Sequence, residues 1–310
     1  MRLHRIKMKV ANIQEDIEKD RSTYIGGSDA GAIIGVNPYK SEYTLWAEKT
    51  NKIDHDYSQN EAMLEGHDLE EYVAQRFALA TGKKIRRSNA RYSIHEHPYI
   101  VAHIDRLIAG ESAGLECKTA SPMSKFDYEN GEFPEWYIIQ CLHYMLTTGK
   151  KHWYLAVLVF QKGLYWTRID WDNIKVNQLL AAEIHFWTMV LSGIAPEVDG
   201  SEDAGHTLDQ LHKGVDEEVD LSALEEEMRI LVLKQQEIKE AKAEIQDIQN
   251  QIKQAMGDCA VGHTPHFEVT YRPYLTHRFD STKFKQEHPA DYELYCDVSQ
   301  SQKFNLKEIK

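Results

Sequence analysis

One stretch of this chain holds acidic and basic side chains at a spacing suited to hydrolysis of a charged ester. Residues 98–118 read Pro98-Tyr-Ile-Val-Ala-His-Ile-Asp105-Arg-Leu-Ile-Ala-Gly-Glu-Ser-Ala-Gly-Leu-Glu116-Cys117-Lys118. Two β-rich runs, Tyr99 to Ile108 and Ala113 to Lys118, flank the turn-forming Gly110-Glu111-Ser112, which predicts an antiparallel hairpin. A turn centred near Gly110 and Glu111 sets Asp105 opposite Glu116, with Cβ atoms about 5 Å apart. Two like charges so placed destabilise a sheet unless a cation lies between them. Mg²⁺ suits that position, because it takes oxygen ligands at about 2.1 Å and keeps several waters for chemistry. Lys118 shares a strand face with Glu116, while Cys117 turns away and offers only its backbone carbonyl.

The order Asp, then Glu-x-Lys, resembles the signature of the PD-(D/E)xK nuclease superfamily. Glu-x-Lys alone says little, since Glu237-Ile-Lys239 and Glu308-Ile-Lys310 also occur. The first of these falls in a helical heptad region, where residues two apart do not face each other. The facing Asp105 separates the 116–118 copy from the others. Read without further context, the hairpin also fits an ordinary amphipathic pair of strands with solvated charges.

These groups need elements to position them. Glu61 to Thr81 has helical periodicity and is ended by Gly82; Leu69, Val73, Phe77 and Ala80 form its apolar stripe, with Glu70 and Glu71 at the border. Strand-like residues 83–94 lead into the hairpin. Thr119 to Glu132 is polar and turn-rich, a loop suited to lie over the site, and contains Lys125. Phe133 to Leu146 reads as a helix closed near Gly149, with Gln140 and Tyr144 on one face. Such a pair, taken alone, is more often surface and core than site. Strands His152 to Phe160 and Leu164 to Asp170 join through Gln161-Lys-Gly163, and a helix from Asn173 to Leu191 ends at Gly193 and Pro196. This order predicts an α/β (α+β) fold, a mixed sheet flanked by helices.

Upstream lies Arg21-Ser-Thr-Tyr-Ile-Gly-Gly-Ser28-Asp-Ala-Gly-Ala-Ile-Ile-Gly35. Gly26 and Gly27 permit a tight turn, and Ser28 can cap a short helix through Ile34 that Gly35 closes. A helix start with a hydroxyl and an arginine nearby is an anion site, and a DNA phosphate is one candidate anion. The alternative is a glycine-containing loop packed under a core helix. Ser41 starts a helix through Lys49, with Leu45 and Trp46 buried.

The formal net charge of −13 over 310 residues speaks at first against nucleic acid, but the acid is unevenly placed. Residues 201–258 carry a net −9 and residues 259–310 are neutral, so the first 200 carry only −4. Among these, Lys83, Lys84, Arg86, Arg87 and Arg91 form a basic cluster that either follows a phosphate backbone or protects a strand edge. Four scattered cysteines without a Cys-x-x-Cys pair argue against a zinc ribbon and give no support for a disulfide framework. No run of eighteen apolar residues and no apolar N-terminal leader are present, so a soluble, cytoplasmic protein without a membrane partner is expected.

Near residue 200 the character changes, and Asp199-Gly-Ser-Glu-Asp-Ala-Gly resembles a linker. The predicted division is a core at 1–200 and an accessory region at 201–310. In the latter, Ser222-Ala-Leu-Glu225 reads as a capping box opening an acidic helix, 222–256, that Gly257 stops. Leu224, Met228, Leu231, Ile238, Ile245, Ile248 and Ile252 keep near-heptad spacing. A hairpin from Cys259 to Gly262 and His266 to Arg272, a short helix from Arg278 and a last strand, Gln302 to Ile309, complete the expectation.

The combination Arg21…Ile-Gly-Gly-Ser28-Asp-Ala, Glu65-Gly-His-Asp-Leu-Glu70, Asp105…Glu116-Cys-Lys118 and Gln140-x-x-x-Tyr144 resembles the YqaJ-type phage recombinase family, relatives of lambda exonuclease. The tail, Arg278-Phe-Asp-Ser with His288-Pro289, also looks like that of prophage members. The resemblance implies a restriction-endonuclease-like core in which Asp105, Glu116 and the Cys117 carbonyl hold one or two Mg²⁺ or Mn²⁺ ions, with Glu70 as a helix-borne carboxylate of the same site. Lys118 would orient or activate water, Gln140 would position Lys118 or the water, and Tyr144 would support the site. Arg21 and Ser28 match positions that grip a 5′-terminal phosphate, and Lys125 stands near a basic family position. His103 departs from the pattern, since lambda exonuclease has a serine there. Family members digest one strand of duplex DNA from the 5′ end, often as ring trimers, and work with a single-strand annealing protein.

The expectation is therefore a Mg²⁺-dependent 5′→3′ double-strand DNA exonuclease of phage or prophage recombination, acting in the bacterial host cytoplasm and leaving 3′ overhangs. Two alternatives keep the fold. One is a structure-selective or restriction-type endonuclease with the same site; the other is a non-catalytic DNA-binding or assembly scaffold whose acidic helix docks a partner.

Overall fold

A computed structural model of the chain describes residues 21–54, 61–88, 90–104, 106–212, 214–215, 217–296 and 302–309, with the backbone of Leu3–Ile6. Two compact units divide it, Met1–Lys213 and Gly214–Lys310.

The first unit is built on a five-stranded mixed sheet. Its strands lie in the order β2 (Ile85–Arg87), β5 (Arg106–Ile108), β6 (Ala113–Ala120), β7 (His152–Val159) and β8 (Gly163–Asp170). β6 is antiparallel to β5 and parallel to β7, which pairs antiparallel with β8. From Trp153 onward β7 is apolar and buried at every position, as a strand covered on both faces must be. A smaller sheet joins β1 (Leu3–Ile6), β3 (Arg91–Ile94) and β4 (Val101–His103).

The run from Tyr99 to Ile108, expected as one strand, is thus divided between two sheets, with β4 in the small one and β5 in the large one. The hairpin holds between β5 and β6, in the register Arg106↔Leu115 and Leu107↔Gly114, around a turn where Gly110 has φ +82°. Asp105 lies outside the described residues.

Helices cover both faces of the large sheet. α3 (Glu61–Thr81) buries Val73, Ala74 and Phe77 against Leu115, Tyr154 and Ala156. Ala80, expected on this stripe, is exposed, and Ala74 lies in its place, because the buried face runs through 73, 74 and 77. On the opposite face α4 (Glu135–Thr148) sets Leu142 and Met145 in a cluster with Leu155 and Val157. α5 (Asn173–Ser192) starts at Asp172, whose carboxylate accepts the N–H groups of Ile174 and Lys175, and packs against α4. The short α1 (Ala30–Ile33) and α2 (Glu42–Lys49) complete this side. Ser41 caps α2 as expected, and Leu45 and Trp46 are buried.

The division between units falls after residue 213 rather than at 200. The presumed linker contains the start of α6 (Glu202–Leu211), which docks on α2. There the Ser41 N–H donates to the Asp203 carboxylate at 2.8 Å, and the Thr44 and Thr207 hydroxyls lie 2.7 Å apart. Ala204, Leu208 and Leu211 add an apolar stripe on the same face, four and three residues apart.

The second unit contains α7 (Glu225–Met256), a hairpin of β9 (Val261–His263) and β10 (Glu268–Thr270), α8 (Ser281–Glu287) and α9 (Pro289–Leu294). The capping box does not form. Ser222 directs its hydroxyl to the Asp220 carboxylate, and residues 222–224 make a 3-10 turn before α7 begins. The expected last strand is absent from the described residues 302–309, where Phe304 and Ile309 lie in solvent with no neighbouring strand. No described helix is long and apolar enough to cross a membrane.

Candidate active site

Glu116, Cys117 and Lys118 lie on the half of β6 beyond its last described pair with β5. Among the described residues β5 pairs with β6 as far as Leu115, and Glu116 to Ala120 pair in parallel with β7. Glu116, 7% exposed, points toward α4. Its Oε1 accepts from Gln140 Nε2 at 2.9 Å and from Lys118 Nζ at 2.7 Å. Gln140 Nε2 also donates to the Tyr144 hydroxyl oxygen at 2.7 Å. Both helix residues are buried, so the pair that pattern alone would leave as surface or core belongs to the strand's carboxylate. Burial opposes the charge on Lys118, but the Glu116 carboxylate outweighs it and raises the lysine pKa. Burial likewise pushes the Cys141 thiol well up, and Glu116 adds to the effect. Cys117 packs on the other face, with the α3 cluster.

Glu70 belongs to that other face. Its carboxylate lies 3.5 Å from Arg106 Nη1, while Glu71 accepts from Arg106 Nη2 at 2.9 Å and from Arg87 Nη2 at 2.6 Å. The buried Arg106 thus neutralises a carboxylate pair on α3 from the neighbouring strand. Sequence reading missed it, although an arginine directly after the expected metal aspartate was a visible signal. Of the basic cluster, Lys83 and Arg87 are engaged by Glu111 and Glu71, which favours the edge-protecting reading for those two. Among the described residues no three His, Cys, Asp or Glu side chains gather into a metal cluster. The Glu116 carboxylate and the Cys117 carbonyl are the kind of hard oxygen ligand that Mg²⁺ and Mn²⁺ prefer. Lys125 stands apart, exposed on the loop after β6 with its ammonium 5.5 Å from the centre of the Phe126 ring.

Arg21 and Ser28 form a second grouping. Arg21 Nη2 donates to Ser28 Oγ at 2.8 Å and lies 3.3 Å from Asp29 Oδ1. Ser28 does not cap α1; Asp29 occupies that position, and its Oδ2 accepts from the Gly26 N–H at 2.9 Å and from Lys49 Nζ at 2.8 Å. Lys49 also donates to the carbonyls of Arg21 and Tyr24, both at 2.7 Å. Burial alone would raise the Asp29 pKa, but the Lys49 and Arg21 charges hold it well below the usual carboxylate range. The Asp29 carboxylate makes no hydrogen bond to the helix start itself and is held instead by Lys49, the Gly26 N–H and Arg21, while Arg21 stays part-exposed beside Ser28. Lys49 was also missed; a lysine closing an otherwise buried helix was its only trace.

The tight turn expected at Gly26 and Gly27 forms, with the Asp29 N–H donating to the Gly26 carbonyl at 3.0 Å, and neither glycine needs a positive φ to make it. Gly27 is required by proximity instead. A Cβ there would lie 2.5 Å from Tyr144 Cε1, and one at Gly31 would lie 2.9 Å from Trp136 Cβ. The loop bearing Ser28 thus rests directly on the helix that holds Gln140 against Glu116.

The groups described here fall within residues 16–151, the span matched by the family described as YqaJ-like viral recombinase domain. An uncharacterized protein YqaJ of Bacillus subtilis (strain 168) is 35% identical over 297 residues, covering 94% of this chain and 93% of that protein. The chain belongs to the YqaJ-like viral recombinase family. The likeness of this YqaJ-like chain to the Bacillus protein runs through the second unit as well as the first. Among solved structures it is similar to an alkaline exonuclease (LHK-Exo) from Laribacter hongkongensis, with a TM-score of 0.49 and 17% identity over 58% of this chain and 94% of that one. A phage related exonuclease from Haemophilus somnus 129PT gives 0.40 and 14%, over 56% and 96%.

Proposed function

We propose that this YqaJ-like protein is a Mg²⁺-dependent exonuclease that digests duplex DNA from 5′ ends and leaves 3′ overhangs for a single-strand annealing protein. The observation that carries the reading is the buried Glu116 carboxylate on β6, gripped by the Lys118 ammonium and the Gln140 amide. Glu116, the Cys117 carbonyl and Asp105 would hold the ion, and Glu70 on α3, which lies 3.5 Å from Arg106 Nη1, would have to turn from that arginine to serve as a further carboxylate. Bound Mg²⁺ or Mn²⁺ would supply the Lewis acid that polarises the scissile phosphate and lowers the pKa of water. Lys118 orients the attacking water through its ammonium hydrogens, and Gln140 keeps the Glu116 carboxylate from turning away. Arg21 and Ser28 hold the 5′-terminal phosphate, with Lys125 a more distant backbone contact. The family supports assembly of several copies around the duplex, a trimer by resemblance, in the host cytoplasm.

Glu116→Ala and Lys118→Ala are each expected to slow digestion of end-labelled linear duplex with Mg²⁺ by about a hundredfold or more, with circular dichroism unchanged. Wild-type rates in either variant would remove the assignment. Arg21→Ala should cost more on 5′-phosphorylated ends than on 5′-hydroxyl ends, and equal losses on both would separate Arg21 from the terminal phosphate. Cleavage of closed circular DNA would replace the exonuclease reading by the endonuclease one.

A further inference from the structure

Two charged side chains of β6 meet α4, and each has its own partner there. Glu116 and Lys118 are two apart and share a strand face. On α4, Tyr137, Gln140 and Tyr144 lie three and four residues apart and share a helix face. Gln140 takes the carboxylate and is backed by Tyr144. Tyr137, one turn earlier, takes the lysine: Lys118 Nζ lies 5.3 Å from the centre of its ring. The helix thus matches the strand's Glu-x-Lys side chain for side chain.

The ion pair with Glu116 leaves the lysine head underdetermined. An ammonium carries three hydrogens on a flexible four-carbon stem, and Glu116 Oε1, at 2.7 Å, fixes one of them. The stem can reach that carboxylate in more than one rotamer, so a second, separate attraction is needed to settle it. The face of an aromatic ring carries partial negative charge and draws a cation most strongly where water is scarce, and the Lys118 side chain is only 25% exposed. With one hydrogen directed to the carboxylate and another to the ring, tetrahedral geometry fixes the direction of the third. The ring in turn is held by Trp136, 5.5 Å away and inclined at 66°.

We propose, on the nuclease reading of Lys118, that Tyr137 is a positioning residue whose ring face holds the ammonium in the orientation from which it directs water at the scissile phosphate. A ring that merely closed the core would be replaceable by any apolar side chain of similar size; a ring that holds a cation is not.

Phenylalanines with increasing numbers of ring fluorines at position 137 keep the ring's shape while draining charge from its face, so they separate the two roles without disturbing the fold. With end-labelled linear duplex and Mg²⁺, kcat is expected to fall stepwise along the series, by about tenfold from phenylalanine to the fully fluorinated ring, with KM unchanged. Tyr137→Phe should stand at the top of the series and Tyr137→Leu at the bottom. Without metal or DNA, the Lys118 Cε protons should resonate upfield, under the ring current, in wild type and Tyr137→Phe, and return to the ordinary lysine position in Tyr137→Leu. A flat kcat series, or Lys118 protons at the ordinary position in wild type, overturns the positioning role. Lys118→Ala in the same assay tells two failures apart. A flat series beside a slow Lys118→Ala removes Tyr137 alone, whereas a wild-type rate in Lys118→Ala removes the nuclease reading of the lysine and the role of Tyr137 with it.

Discussion

At the scale of single residues, the contact between Gly27 and Tyr144 says most about how the candidate site is kept in order. Gly27→Ala forces the tyrosine ring to move, because 2.5 Å is closer than side-chain carbons tolerate. Overpacking of this kind costs about 1–3 kcal/mol. The expected result is a lower denaturant midpoint together with a fall in kcat larger than any change in KM, since Tyr144 leads to Glu116 through Gln140. Gly26→Ala is the control: its nearest contact would be an ordinary 3.5 Å, and it should behave as wild type. If both variants match wild type, the ring does not link loop and strand. The glycine pair was legible in the sequence as a motif, but its reason was not, because Tyr144 lies far along the chain. Lys49 and Arg106 escaped for the same cause. Each is a buried cation whose acceptors are supplied only by tertiary packing.

At the scale of elements, α4 is pinned by a buried ion pair. His143 Nδ1 lies 2.6 Å from Glu183 Oε1 on α5, and Nε2 lies 2.9 Å from the Val101 carbonyl on β4. Acceptors at both ring nitrogens favour the imidazolium. Burial would lower the His143 pKa, but the Glu183 charge and hydrogen bond, with a smaller contribution from Asp29, raise it above 6.5. A raised folded value means the stabilisation is fully present below about pH 6.5 and is lost as pH rises through the folded pKa. The wild-type melting temperature should therefore decline on that side, and His143→Gln should flatten the decline; parallel curves would show that the pair is not what titrates. Element by element, α3, α4, α5, β7 and β8 were legible from periodicity and caps. The split of residues 99–108 was not, since alternation looks the same whichever sheet a strand joins. Nor does alternation in 302–309 by itself make a strand, since a strand forms only where its backbone groups find a partner.

At the scale of the molecule, the net charge misleads until it is placed. Much of the excess acid lies on and just before α7, in a different unit from Glu116, Lys118, Arg21 and Ser28. Composition alone would have turned attention from DNA, whereas five spaced motifs in the first unit restored it. The point at which the units divide stayed hidden because Asp199-Gly-Ser-Glu-Asp-Ala-Gly reads as a linker although its second half is the first turn of α6.

The absence of a single methyl group at residue 27 has one more consequence. With an aromatic ring seated on bare backbone, the loop that bears Ser28 and the helix that carries Gln140 are set at a fixed spacing, like the two jaws of a calliper. Under the proposed chemistry such a gauge would release fragments of uniform length, whatever bases pass through it.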